Sequence, residues 1–175
     1  YGGAGDRKYL LRKSMGEKMK KAGKVMGIKI ISLLMGIIAF HFLLSFIIAP
    51  AVNDHIAKKL YKEMVQVPLP EGAVVCDSRF LAGNLVGNGN KMQYFAALLL
   101  RSEWTVEELE DYYLPYREDK WHFIVERQEG TGIGPLEGRE EFSIPGEKKK
   151  DEKYYIVYSW GSSGFPFQDW DLRAH

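Results

Sequence analysis

Ile30-Ile31-Ser32-Leu33-Leu34-Met35-Gly36-Ile37-Ile38-Ala39-Phe40-His41-Phe42-Leu43-Leu44-Ser45-Phe46-Ile47-Ile48-Ala49 carries no formal charge over its whole length. Twenty residues at the rise of an α-helix cover about 30 Å, the thickness of the hydrocarbon core of a bilayer. In that medium every backbone N–H and C=O must be paired within the segment, and a helix does this. Residues 30–49 therefore read as a transmembrane helix, and the rest of the chain is arranged around it.

The charges outside the run are partitioned. Residues 1–29 hold nine Lys and Arg against Asp6 and Glu17, a net of +7; residues 50–175 hold fifteen basic and twenty-one acidic residues, a net of −6. A Lys/Arg excess beside a span stays in the cytoplasm, so the C-terminal part is expected outside the cell membrane. Within the basic segment Leu11, Met15, Met19, Ala22 and Met26 recur every three or four residues, one apolar stripe of a helix. Such a helix would lie on the anionic leaflet, where each basic residue contributes about 1 kcal/mol. A positive-inside topology signal explains the same charges, and Gly16 and Gly23 weaken the helix. Nucleic-acid binding is not expected of a basic run held at a bilayer without a recognition fold.

Ala49-Pro50-Ala51 resembles a small-residue cleavage site, which would make the run a signal peptide removed after Ala51. The run exceeds the roughly 7–15 residues of a typical signal-peptide apolar region, and an uncleaved anchor is the reading adopted. Cys76, the single cysteine, lies well past the run and disfavours a lipoprotein signal. The chain begins at Tyr1 without Met, which reads as a fragment or a processed form.

Three residues of the span are candidates for a helix–helix interface. Ser32 and Gly36 form a small-xxx-small pair that lets another helix approach closely. His41 sits near the bilayer centre, where an ionisable group is costly. It reads as a neutral imidazole bonded to a helical neighbour such as Ser45 or to a partner helix. Gly36 and His41 are about 140° apart around the helix, so they mark different faces. The expected partners are the lipid bilayer and a membrane protein or a second copy of the chain.

Residues 50–70 read as a helical stalk: Val52, Ile56, Leu60 and Met64 form an apolar ridge, and Pro68 and Pro70 end it. Residues 71–175 read as an α+β domain, an antiparallel sheet with one packed helix. Ala73–Cys76, Arg79–Val86, Met92–Arg101, Trp121–Arg127, Glu140–Ile144 and Lys153–Trp160 are the expected strands. Met92–Leu100 is apolar at nearly every position and reads as a central strand buried on both faces. Gly87-Asn88-Gly89-Asn90 suits a hairpin turn. Thr105-Val106-Glu107-Glu108 is a capping box that opens a helix with Val106, Leu109 and Tyr113 on its buried face. At roughly 105 residues the domain has a workable core without disulfides.

The run from Met92 to Val125 joins a strand, a Thr-capped acidic helix ending in Tyr112-Tyr113, and a Trp-led strand. It resembles small extracytoplasmic domains of bacterial lipoproteins and membrane-anchored proteins. The resemblance covers about a third of residues 71–175. It implies a cell-surface module and transfers no catalytic residue.

Chemistry-bearing motifs are few. His41, His55, His122 and His175 lack metal-site spacing, and no metal or cofactor is expected. Gly130-Thr131-Gly132-Ile133-Gly134 has Pro135 where a dinucleotide fingerprint needs its third glycine, and reads as a flexible loop. Gly161-Ser162-Ser163-Gly164 is no nucleophile elbow and reads as a turn. Cys76, with His122 as base, is a thiol-nucleophile candidate set against the commoner buried strand cysteine. The tail Phe165-Pro166-Phe167-Gln168-Asp169-Trp170 follows neither helical nor strand period. Phe165, Phe167 and Trp170 either fold back on the sheet or form a partner-binding surface. Three function classes follow in order: an anchored accessory or binding module of a cell-envelope membrane complex, a stand-alone surface ligand-binding or structural protein, and a thiol-dependent enzyme.

Overall fold

Nine residues decide the architecture. Gln93–Arg101 form strand β2, in which every residue from Tyr94 to Leu100 is buried. A strand of apolar residues on both faces is stable only between two neighbours and beneath two covers. The computed structural model, which describes residues 4–87, 91–116, 122–143 and 152–174, supplies all four.

Strands β1 (Val74–Gly83), β2, β3 (Ile124–Arg127) and β4 (Tyr154–Gly161) form an antiparallel sheet of order β1-β2-β4-β3. On one face lie Ala96, Leu98 and Leu100 of β2 with Tyr155 and Val157 of β4 and Phe123 and Val125. Two helices cover that face, α2 (Ala49–Met64) through Leu60 and Met64 and α3 (Val106–Tyr113) through Leu109 and Tyr113. On the other face Phe95, Ala97 and Leu99 pack with Tyr154, Ile156 and Tyr158 beneath Ile133, Leu136 and Phe142. The period-2 alternation assigned to residues 121–127 holds where described: Phe123 and Val125 face the helices, while Ile124 faces away. Trp121 lies outside the described residues, as do Asn88–Asn90 of the expected turn and most of the loop before β4.

Local chemistry sets the element ends. Thr105 caps α3 by accepting from the Glu108 N–H at 3.2 Å, and the Glu108 carboxylate accepts from the Thr105 N–H at 2.7 Å. Both bonds satisfy helix donors that lack intrahelical partners.

Four described strands replace the six expected. Ala73–Cys76 and Arg79–Val86 merge into β1, because a register shift between Val75 and Asp77 absorbs Cys76 as a β-bulge and the ladder continues. The Asp77 carboxylate, in the gap between those two expected strands, accepts from the Ser78 N–H at 2.7 Å, the Ser143 N–H at 2.6 Å and Arg79 at 2.9 Å. Glu140–Ile144 contributes one bridge, Gly132 to Glu141, within its described part. The Gly130–Gly134 loop is fastened rather than loose. Gln128 donates to the Gly130 and Gly132 carbonyls at 2.9 and 2.7 Å, and Ile133 is buried.

The chain divides into two compact units, Tyr1–Leu43 and Leu44–His175. The first is the helix α1 (Ala4–Leu43), long and apolar enough to cross a membrane. Its large apolar side chains, among them Ile31, Leu33, Met35, Ile38 and Phe40, are exposed, as are Met15, Met19 and Met26 of the basic segment. The second unit opens with a π-helical turn, Leu44–Ile48, leading into α2. Along it Ser45, Ala49, Asn53, Ala57, Leu60 and Met64 form one buried stripe. Val52 and Ile56 of the expected ridge are half-buried beside it.

Truncating Leu99, fully buried in β2, to alanine is expected to lower stability by about 2–5 kcal/mol, whereas exposed Leu114→Ala should change it by less than about 0.5 kcal/mol. Urea unfolding of the full chain in detergent micelles, followed by near-UV circular dichroism, measures both.

Candidate functional site

The C-terminal tail meets the first turns of α2 in a buried polar cluster. Asn53 stands on the helix face that lies on the sheet and is fully buried. Its carboxamide oxygen accepts from the Tyr94 hydroxyl at 2.7 Å, and its nitrogen donates to the Gln168 carbonyl at 3.1 Å and to the Asp171 carboxylate at 3.0 Å. An amide has two N–H donors, and both are used, so burial leaves no donor orphaned.

Two short 3-10 turns, Gln168–Trp170 and Leu172–Ala174, bring the tail there. Arg173 fixes them. Its guanidinium donates to Asp171 at 2.7 Å, to Asp54 at 2.7 Å and to the Pro50 carbonyl at 3.2 Å. Its own carbonyl accepts from the Asn84 N–H at 2.6 Å, which ties the tail to the end of β1. Asp169 accepts from the Met92 N–H at 2.7 Å.

The electrostatics follow the bonding. Burial alone would raise the Asp171 carboxyl, but the bonds from Arg173 and Asn53 outweigh it and hold the group below the usual carboxylate range. Arg173 is raised by its bond to Asp171, against the opposing effect of burial. Burial pushes the Tyr94 hydroxyl up, and the Asp169 and Asp171 charges add to this.

Polar groups of the tail therefore point inward, and its large apolar groups point out. Phe167, Trp170 and Leu172 are 39, 41 and 53% exposed, while Asp171 is 1% exposed. Phe165, Phe167 and Trp170 stack edge to face, with ring centres 5.9 and 5.5 Å apart. The tail's backbone and carboxylates fold back on the domain, while Phe167 and Trp170 stay on its surface.

The other candidates are dispersed. Ser32, Gly36 and His41 are exposed on α1, and a Cβ added at Gly36 would meet no atom within 4 Å. Cys76 sits in the bulge of β1, its thiol 3.8 Å from the Val74 carbonyl. His122 precedes β3 by two residues, and β1 and β3 are opposite edges of the sheet, three strand spacings or about 14 Å apart. The proposed thiol–imidazole pair is therefore not assembled. Among the described residues no three His, Cys, Asp or Glu side chains converge on a metal-sized site. A cleft of about 400 Å³ opens beside α2, lined by Leu60, Glu63, Met64, Val67, Tyr116 and Phe123. Among the described residues that line it, Glu63 is the one carboxylate.

Asn53, Tyr94, Asp171 and Arg173 were not singled out in the sequence. The one signal was a polar Asn placed between apolar Val52 and Ile56. No protein-family model matches this chain, and no curated protein and no solved structure is similar to it.

Asp171→Asn keeps the shape and removes the charge. Because the folded carboxyl is depressed, the wild type's advantage is present above the ordinary Asp value near pH 4 and disappears as pH falls through the lower folded value. The expected urea-unfolding difference is about 1 kcal/mol at pH 7, modest because Arg173 is partly exposed, and none at a pH low enough to protonate Asp171 in the fold.

Proposed function

We propose that the chain is a single-pass membrane protein whose extracytoplasmic α+β domain is an accessory or binding module of a cell-envelope membrane complex. One observation carries the reading. The uncharged segment of α1 exposes large apolar side chains over all its faces, and such a helix needs an apolar surrounding rather than water. The basic segment ahead of it directs residues 50–175 outward.

The accessory role draws on Ser32 and Gly36, where a small-residue face lies uncovered on α1. A helix association of this kind rests on close backbone approach, which a leucine at Gly36 would prevent. The 400 Å³ cleft beside α2 favours the second reading, a stand-alone surface protein that takes a small apolar ligand.

Affinity capture of the full chain from native membranes in mild detergent separates the two. The accessory reading expects the chain to resist alkaline extraction, to be cut by external protease only beyond residue 49, and to carry a stoichiometric membrane companion that Gly36→Leu depletes about tenfold. Recovery of the chain alone, at the size of its own micelle, refutes the accessory role and leaves the ligand-binding one.

A further inference from the structure

The tail inverts the usual polarity of a surface segment. Over residues 165–172 both carboxylates are turned in, Asp169 onto the Met92 amide and Asp171 under Asn53 and Arg173. The outward side presents Phe167, Trp170 and Leu172. Water gains nothing from this arrangement, and clustered exposed aromatics mark a surface that something else covers.

The position of the cluster identifies the cover. Arg173 binds the Pro50 carbonyl and Asp54, and Asn53 binds Gln168 and Asp171. Pro50 is the residue that follows the uncharged run, and Asp54 is the first formal charge after Lys29. The aromatic cluster is thus tied to the helical turn at which the chain leaves the apolar run, about 6 Å of helix in all. The headgroup layer on each side of a hydrocarbon core has a similar depth, about 5–7 Å. Within the same unit Phe46 and Ile47, one turn earlier, are also exposed. Trp and Phe rings with a polar side held inward suit that layer, where Trp and Tyr concentrate in membrane proteins.

We infer that Phe167, Trp170 and Leu172 seat the domain in the headgroup layer of the outer leaflet. The domain then rests on the lipid surface instead of standing off on a stalk, and the Arg173 clamp sets its height. A folded tail reaches that layer through its own helix, without a partner protein to bring it there. The inference rests on the anchored reading above.

The test uses the full chain in phosphatidylcholine nanodiscs, with and without lipid carrying a spin label on its headgroup. Emission of Trp170 is taken as the difference between the wild type and Trp170→Phe, a mild change at an exposed ring. The expected result is an at least twofold loss of that difference emission to the labelled lipid, with weak quenching by aqueous acrylamide. If the chain incorporates but the Trp170 emission ignores the lipid label and is quenched by acrylamide, the seating is wrong and the anchor stands. A Trp170 ring shielded from both quenchers, with a companion protein lost on Trp170→Ser, overturns it in favour of a protein surface. A chain that does not enter the discs overturns the anchor, and the seating with it.

Discussion

The fold rests on burying β2 from both sides. Seven consecutive buried residues leave no face of the strand for water, so the chain must provide a cover above and another below. The two covers are unlike. Helices α2 and α3 roof one face with aliphatic side chains and Tyr113, while the segment between β3 and β4 closes the other with Ile133, Leu136 and Phe142. Placing α2 in the roof makes the helix that follows the apolar run part of the sheet's own core. The polar cluster at Asn53 is a consequence, since a helix lying flat on a sheet must satisfy whatever polar group its inner face carries.

What was legible in the sequence was what local pattern encodes. The two-faced burial of Tyr94–Leu100 and the cap at Thr105 depend on neighbours in the chain, and both were readable. Alternation at Phe123–Glu126 was readable for the same reason. The misreadings have a common origin in tertiary compensation. Asp77 interrupts an apolar strand on paper, yet its carboxylate finds the Ser143 amide sixty-six residues away and the strand continues around it. Residues Glu140–Ile144 resemble a strand, but in their described part a single bridge, from Glu141 to Gly132, leaves Phe142 as cover for the core. On α2, hydrophobicity favoured Val52 and Ile56. Burial went instead to Asn53 and Ala57, because Ala lets the helix approach closely and Asn53 has partners to receive it.

The candidate site was the least legible part. Phe165, Phe167 and Trp170 stood out by size, but their orientation depends on Arg173, Asp171 and Asn53, which carry no motif. A tail with the same composition and no clamp would be expected to turn its rings inward and its acids out. Here the clamp decides, because the bonds from Arg173 and Asn53 hold the Asp171 carboxylate more strongly than burial disfavours it. Large apolar groups are left outside as a result. That arrangement is stable in isolation only to the extent that the ion pair of buried Asp171 with partly exposed Arg173 holds.

The pairing of Asn53 with Asp171 spans 118 residues, from α2 to the join between the two 3-10 turns of the tail. A ribosome makes the chain from the Asn53 end of that interval, so Asn53 exists long before its partner does. Until the turns that carry Gln168 and Asp171 arrive, α2 can lie on the sheet only with the Asn53 amide nitrogen unbonded, a state that costs roughly 1–3 kcal/mol. Closure of such long-range contacts is also slow compared with formation of the hairpin or of α3. The clamp thus joins the last step of folding to the first turns of α2: without Asp171 and Arg173 in place, the central strand and the cap at Thr105 still form, yet those turns lose the bonds that hold them.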